Sequence, residues 1–289
     1  MLKELEEKTD LFTLEAKQII EISDYKTFKR KARKISRETN VPLDLIYYHP
    51  FRNRVDNWFK LNREWYYFKE YKTNSSFFNE LLGELVSKYF NIDTVEYKIT
   101  KVITPTKIKY GISSKNFVGK KDNCLTCLDF EFSKKIDDLI SLKNLEILRE
   151  YTKNDINYKE LLKTMKSFLI RDLYASQKDR TYTNFLFKEN KGILSLAPLF
   201  DYEDSFGTAE IYYRNQIVLL SLFSEETKKV LNDSTFQIQF NKLMLLDMKR
   251  LIEELEDRHK IIMTDDYKNY YNNYDRQIKK KILDSNVIK

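Results

Sequence analysis

Three oxygen-bearing side chains, Asp179, Asn184 and Asp201, stand at ordered intervals within one stretch of this 289-residue chain. Between the last two lie two short apolar runs, Phe185-Leu186-Phe187 and Ile193-Leu194-Ser195-Leu196, separated by the polar Lys188-Glu189-Asn190-Lys191-Gly192. That pattern predicts a β-hairpin. A hairpin brings the chain back to where it began, so Asn184 and Asp201 are expected at the same open end, on neighbouring strands ~5 Å apart. An amide oxygen beside a carboxylate makes a hard-oxygen site. Such a site suits Mg²⁺, which takes one or two protein oxygens and fills its shell with water and substrate phosphates. Asp179, in the preceding loop, is placed to accept a proton from an attacking hydroxyl. Together these residues describe phosphoryl transfer: one Asp as base, with an Asn and a second Asp on the metal.

That chemistry also needs a cation on the nucleotide phosphates and a helix carboxylate to hold it. Lys69 ends the aromatic run Trp65-Tyr66-Tyr67-Phe68-Lys69, which reads as a strand. Glu80 falls in the next amphipathic stretch, with Glu84 one turn further on as the alternative partner. No GxxxxGK[ST] phosphate loop and no GxGxxG occur. A turn covering the phosphates would have to come from the Asn62-Arg63-Glu64 region or another polar loop.

The elements that must position these residues follow from periodicity. Residues 1–40 read as helix, with Leu2, Leu5, Leu11, Leu14, Ile19 and Ile20 near helical spacing. A basic run follows in Lys26, Lys29, Arg30, Lys31, Arg33, Lys34 and Arg37. Such a run is ordinarily a solvated helix face; its functional reading is a contact with nucleic acid or an acidic protein. Trp58-Phe59 and Trp65–Lys69 predict a hairpin through Leu61-Asn62-Arg63-Glu64. A helix is expected from Ser76 to Phe90, capped by Ser75 or Ser76 and apolar at Phe77, Leu81, Leu82, Leu85, Val86 and Tyr89. Strands fit Thr94–Thr100 and Lys107–Ile112, and helices fit Leu139–Ile147 and Asn154–Tyr174. After the hairpin, the chain from about Asn215 reads as helical, over Ile217–Phe223, Phe240–Glu256 and a Tyr/Lys-rich terminal segment. The order is a helical extension, a small β-rich lobe with one helix, and a larger helical lobe holding one hairpin. Two unlike lobes leave a cleft, a common place for a ligand.

With the residues set out, the chain resembles the HipA-like and CtkA-like bacterial serine/threonine kinases, a branch of the protein-kinase-like fold. The stretch Asn79-Glu80-Leu81-Leu82-Gly83-Glu84-Leu85-Val86 resembles that family's NE…LA..LGL helix. Asp179…Asn184-Phe185 resembles its D-x-H-x-x-N-F catalytic loop, and Leu196-Ala197-Pro198-Leu199-Phe200-Asp201 its L-x-P-x-[YF]-D metal motif. Lys107–Tyr110 followed by Gly111 to Phe117 resembles the connector between lobes. The likeness runs from about Trp58 to Phe206. One position departs: Thr181 stands where the family has His.

The resemblance implies an α+β, bilobal protein-kinase-like fold with a helical N-terminal extension over 1–50. The N-lobe and connector would take 51–117 and the mainly helical C-lobe 118–289. It implies ATP and Mg²⁺ as cofactors and a protein Ser/Thr hydroxyl as acceptor. Asp179 would be the base, Asn184 and Asp201 the metal ligands, and Lys69 with Glu80 the phosphate clamp. Ser114 and Phe117 would lie on the adenine side, and Ser113 or Ser114 would be open to autophosphorylation. It also implies a toxin of a toxin–antitoxin pair, with a DNA-binding antitoxin as partner. The neutral Thr181 keeps an alternative open: a weak or silent pseudokinase, or a binding module working through its basic helix.

Composition sets the outer bounds. Hydrophobic residues make up 42% of the chain, enough for a core, and five Gly and four Pro exclude collagen-like and Pro-rich architectures. No run of ~18 apolar residues occurs, so no membrane association is expected. The charged start and only two cysteines fit a cytoplasmic setting. The net charge of +7 suits phosphate-bearing ligands or acidic partners without requiring nucleic acid, whose direct binding is not expected. Cys124-Leu125-Thr126-Cys127 lacks the further ligands of a zinc site, and His49 and His259 stand far from it, so all four read as packing or surface residues. The Trp58, Phe59, Trp65, Tyr66 and Tyr67 cluster reads as strand packing rather than a base-stacking platform.

Overall fold

The computed structural model describes residues 11–15, 25–48, 52–53, 55–71, 73–130, 142–152, 154–177, 184–207 and 234–284. The upper part of the fold is a five-stranded sheet. Strand β1 (Phe12–Glu15) is followed by α1 (Tyr25–Thr39), the single turn α2 (Leu43–Ile46) and the two-residue strands β2 (Tyr47–Tyr48) and β3 (Arg52–Asn53). A 3₁₀ turn over Val55–Asn57 leads into β4 (Trp58–Leu61), β5 (Glu64–Glu70), helix α3 (Asn74–Tyr89), β6 (Tyr97–Ile103) and β7 (Ile108–Lys115). The sheet order is β1-β6-β7-β5-β4, with β1 parallel to β6 and the other pairs antiparallel.

The β4–β5 hairpin forms where the aromatic runs predict it. Asn62 and Arg63 both take left-handed backbone, φ 50° and 68°, which matches the twist of the flanking strands in a two-residue turn. The 1–40 helix does not extend over the described residues. Phe12-Thr13-Leu14-Glu15 alternates apolar and polar, and Leu14 is buried against the sheet, so this piece pairs with Thr100–Ile103 as an edge strand. The N-terminal extension therefore contributes to the sheet of the small lobe. Helix begins at Tyr25.

Below the sheet lie β8 (Asn123–Thr126), α4 (Leu142–Thr152), α5 (Asp155–Ala175), the hairpin β9 (Leu186–Asn190) and β10 (Ile193–Leu196), then α6 (Ser234–Leu245), α7 (Met248–His259) and α8 (Asp265–Asp284). The predicted hairpin is tighter than its polar spacer suggests. Only Lys191 and Gly192 turn it, at φ 52° and 79°, and β8 adds a third strand to β9. Asn154 caps α5 through its side-chain oxygen, as its type predicts. The single helix expected over Phe240–Glu256 is two helices, because Asp247 accepts the Arg250 N–H and starts a new one. The expected Ile217–Phe223 helix lies outside the described residues.

Helix α3 joins the two parts. Every residue from Phe77 to Ser87 is buried, because the sheet and helices α7 and α8 enclose it. It is capped by Thr73 rather than Ser75 or Ser76: the Thr73 hydroxyl accepts the Ser76 N–H and Ser76 returns the bond to the Thr73 N–H. One apolar cluster runs from α3 through α5, the hairpin and α6 to α8. A second gathers Phe28, Ala32 and Ile35 of α1 with Val118, Leu186 and Ala197, and Trp58, Trp65, Phe117 and Phe200 pack on it. Trp58 and Trp65 are therefore packing residues. Among the described residues no helix is long and apolar enough to cross a membrane.

Candidate active site

Lys69 leaves the sheet one residue before the end of β5. Across the sheet Lys69 pairs with Ile112, and the adjacent Gly111 of β7 lets the strands lie close: a Cβ there would overlap the Lys69 carbonyl oxygen and fall 2.7 Å from the Phe68 ring. The Lys69 ammonium lies 2.5 Å from Glu80 Oε1 and 2.8 Å from Glu203 Oε2, and it also donates to Asp201 Oδ1. Glu84 is not its partner. That carboxylate, one turn on, binds Lys88 at 2.7 Å, Arg258 at 3.1 Å and the Tyr97 N–H at 2.9 Å. Burial alone would lower the Lys69 pKa; attraction from Glu80, Asp201 and Glu203 outweighs it and holds the group above lysine's ordinary value.

Asp201 follows the β9–β10 hairpin, whose pairing continues to Ala197 N–H on Leu186 carbonyl at 2.9 Å. Its backbone is left-handed, φ 62°, a conformation that costs a non-glycine residue on the order of 1 kcal/mol or more. The surroundings fix it from each side. Tyr97 Oη accepts the Asp201 N–H at 3.1 Å, Gln177 Nε2 donates to the Asp201 carbonyl at 3.0 Å, and Glu80 Oε2 accepts the Tyr202 N–H at 2.8 Å. Glu80 thus holds Lys69 with one oxygen and the Asp201 segment with the other.

Tyr202 seats that segment on α3. Its ring lies against Gly83, and the Arg171 guanidinium is stacked 4.2 Å over it. Its hydroxyl shares hydrogen bonds with Thr94 at 2.6 Å and Ser87 at 3.0 Å. Asn79, also on α3, donates to the Glu203 and Ser205 carbonyls at 2.7 and 2.9 Å. Phe206 N–H reaches the Ala175 carbonyl at 2.6 Å, and Ser205 donates to the Gln177 side chain. The buried polar residues of α3 and the end of α5 therefore converge on residues 201–206.

Of the predicted residues, Lys69, Glu80 and Asp201 come together as expected. Asn184 is buried two residues before β9, at the hairpin end from which Asp201 also emerges. Asp179 and Thr181 lie outside the described residues, between Gln177 and Asn184, which are both buried. Ser114 belongs to the central strand β7, paired with Tyr67 on one side and Tyr97 on the other, and not to the connector. The Ser113 hydroxyl is buried and bonded to Thr100 at 2.7 Å, so it is closed to phosphorylation in this fold. The connector begins at Asn116, whose N–H reaches the Trp65 carbonyl at 2.8 Å. Phe117 in it stacks on Phe200, ring centres 5.9 Å apart. Sequence reasoning missed Glu203, Tyr97, Gln177 and Tyr202. Glu203 stands two residues after Asp201, but that spacing alone does not show that its carboxylate reaches Lys69.

The donor set fits a divalent cation. Oxygens of Glu80, Asp201 and Glu203 lie within 4.8 Å of one another, and all are hard ligands. Three carboxylates face one ammonium, leaving two negative charges in a half-buried site, which a doubly charged cation neutralises.

The two cysteines are packing residues. Burial pushes both thiols up to about 12, far from the thiolate form. Neither is expected to react with iodoacetamide at neutral pH until the protein unfolds; labelling of the folded chain, read by mass spectrometry, would contradict this. His259 is half-buried, and desolvation together with the Arg258 and Lys88 charges lowers its pKa to about 4, so it stays neutral at physiological pH.

A small sheet with one buried helix, a connector, and a larger helical part that carries a carboxylate-bearing hairpin make up a known arrangement. The fold is protein-kinase-like. The Helicobacter pylori proinflammatory kinase CtkA superposes with a TM-score of 0.54 at 16% identity, over 79% of this chain and 91% of that one. HipA of Shewanella oneidensis MR-1, solved in its toxin–antitoxin complex with HipB and operator DNA, superposes with a TM-score of 0.46 at 12% identity, over 86% and 70%. No family model and no curated protein matches the sequence. At 16% identity the likeness to CtkA is one of fold.

Proposed function

We propose that this chain is an ATP- and Mg²⁺-dependent protein kinase that phosphorylates a Ser or Thr hydroxyl. The observation that carries the reading is the Lys69 ammonium held between Glu80 of the buried helix and Asp201 after the hairpin, in a kinase-like fold. Each residue has a stated task. Lys69 neutralises the α- and β-phosphates, and Glu80 fixes its direction. Asp201 and Asn184 hold the metal, with Glu203 beside them; a cation bound there offsets the charge of the phosphate oxygens. Asp179 orients the acceptor hydroxyl and takes its proton. Phe117 faces the base from the connector. The protein's contribution is positioning and fixed charge, with no covalent intermediate.

The test is transfer of label from γ-³²P-ATP with Mg²⁺, using a general protein substrate and a cell lysate. The wild type is expected to label protein, and Asp201→Ala and Asp179→Asn to lose at least about a hundredfold of that rate. ATP binding by the wild type is measured in parallel. The absence of both transfer and Mg²⁺-dependent ATP binding would overturn the nucleotide site itself; binding without transfer would overturn the kinase reading and leave a pseudokinase.

A further inference from the structure

Helix α1 carries a second feature that phosphoryl transfer does not use. Phe28, Ala32, Ile35 and Thr39 form its buried face. On another face stand Lys26, Arg30, Arg33 and Arg37, at i, i+4, i+7 and i+11, which spaces them over ~16 Å of helix. With Lys29 and the exposed Leu43 they line a recess of about 890 Å³.

The helix gains nothing from this stripe. Lys31 is paired with Asp56 and lies 3.2 Å from it, while Lys34 approaches Glu38, itself bound to Lys60 and Trp65. Lys26, Arg30, Arg33 and Arg37 have no ion pair among the described residues, and like charges one turn apart repel. No acidic residue stands in the first turn, where the helix dipole also opposes Lys26. Aligned cations without internal carboxylates are complementary to an external polyanion.

The shape selects which one. Among the described residues no aromatic side chain lines the recess, so they offer a single nucleic-acid strand nothing to stack on. The helix does not project, as a groove-reading helix must; its other face is seated in the core and its basic face forms the wall of a recess. A peptide chain enters such a space, and three guanidinium groups match carboxylates through paired hydrogen bonds. Leu43 offers an apolar contact among them. We propose that the basic face of α1 is a docking site for an acidic segment, a run of Asp and Glu side chains, of a partner protein. The proposal does not depend on catalysis.

The experiment titrates the full chain into a fluorescein-labelled Asp/Glu-rich peptide and follows anisotropy at several salt concentrations. Oligonucleotides of equal charge, single-stranded and duplex, serve as comparison. The wild type should bind the peptide in a salt-sensitive way and more tightly than either oligonucleotide. Arg30→Glu/Arg33→Glu/Arg37→Glu should weaken peptide binding by about tenfold or more, as three pairs are lost and reversed. A control with the same charge change on α7 and α8, Lys249→Glu/Arg276→Glu/Lys280→Glu, should bind as the wild type does. Circular dichroism establishes that both variants are folded. No peptide binding, equal weakening in the control, or tighter binding of either oligonucleotide would each overturn the proposal, the last in favour of nucleic acid.

Discussion

Lys69→Met is expected to stop phosphoryl transfer and to lower stability at once. The first effect follows from losing the cation that meets the phosphates, at least about a hundredfold in rate. The second follows from the ion pairs of the fold itself. The Lys69 ammonium is the shared partner of Glu80, Asp201 and Glu203, and Glu80 is 2% exposed. Removing it leaves three carboxylates facing one another in a half-buried site. Breaking a buried pair costs ~3–5 kcal/mol, and the partial exposure of Lys69 brings the expectation to about 2–4 kcal/mol. Lys69→Met/Glu203→Gln should regain part of the stability and none of the activity, because it removes one unpaired charge but not the need for the cation. Urea unfolding and the radiolabel assay read the two effects separately. A Lys69→Met chain as stable as the wild type would mean that the carboxylates do not depend on the ammonium. The sign of the pH dependence is fixed as well. The Lys69 pKa is raised by its carboxylates, so its contribution is complete below lysine's ordinary value of 10.5 and fades only as the solution rises through the higher folded value. The stability gap between wild type and variant should therefore be flat across the neutral range.

Gly83→Ala should be the second most damaging change, though it adds one methyl group. The new Cβ would overlap the Tyr202 ring, 2.6 Å from its Cδ2, and the ring is held by the Arg171 guanidinium, which stacks 4.2 Å over it and also donates to the Gly83 carbonyl at 3.3 Å. Helix α3 is enclosed along its length, so it has no free direction of retreat. Overpacking of this kind costs ~1–3 kcal/mol. Either the ring leaves its seat or α3 shifts, and Asp201 or Glu80 moves with it. Activity should fall by more than the stability loss explains. The double variant Gly83→Ala/Tyr202→Leu should recover part of the stability, as expected for two residues in contact. Additive losses in that cycle would show that the ring and the glycine do not constrain each other.

The sequence made some of this legible and hid the rest for physical reasons. Local pairings were readable: Asn62-Arg63 and Lys191-Gly192 turn hairpins between alternating apolar runs, and Asn154 caps α5. The Lys69–Glu80 pair was readable because a strand end and the next helix lie close in the chain. Glu203 was not read, because only the left-handed bend at Asp201 turns a residue two places on toward Lys69. Tyr97 and Gln177 act across ~100 and ~20 residues of chain on backbone groups of Asp201, and no spacing encodes such contacts. Leu11 and Leu14, at i and i+3, suggest a helical face, whereas Phe12 and Leu14, at i and i+2, share the face of a strand; the partner Thr100–Ile103 decides the matter. Ser113 looked like connector until β7 extended to Lys115.

The end of α1 is laced to the connector. The Asn40 amide donates to the Gly119 carbonyl at 3.0 Å, and the Asn116 amide to the Thr39 carbonyl at 3.1 Å. The same helix presents its cations on another face, so two surfaces share one rigid body. Thermodynamic reciprocity then applies: whatever free energy a ligand on the cationic face contributes toward keeping α1 seated, occupancy at the connector returns to that ligand as affinity. A helix placed ahead of the β4–β5 hairpin is in this respect a lever with two handles, and the strength of the coupling is set by how much of α1's seating each contact requires.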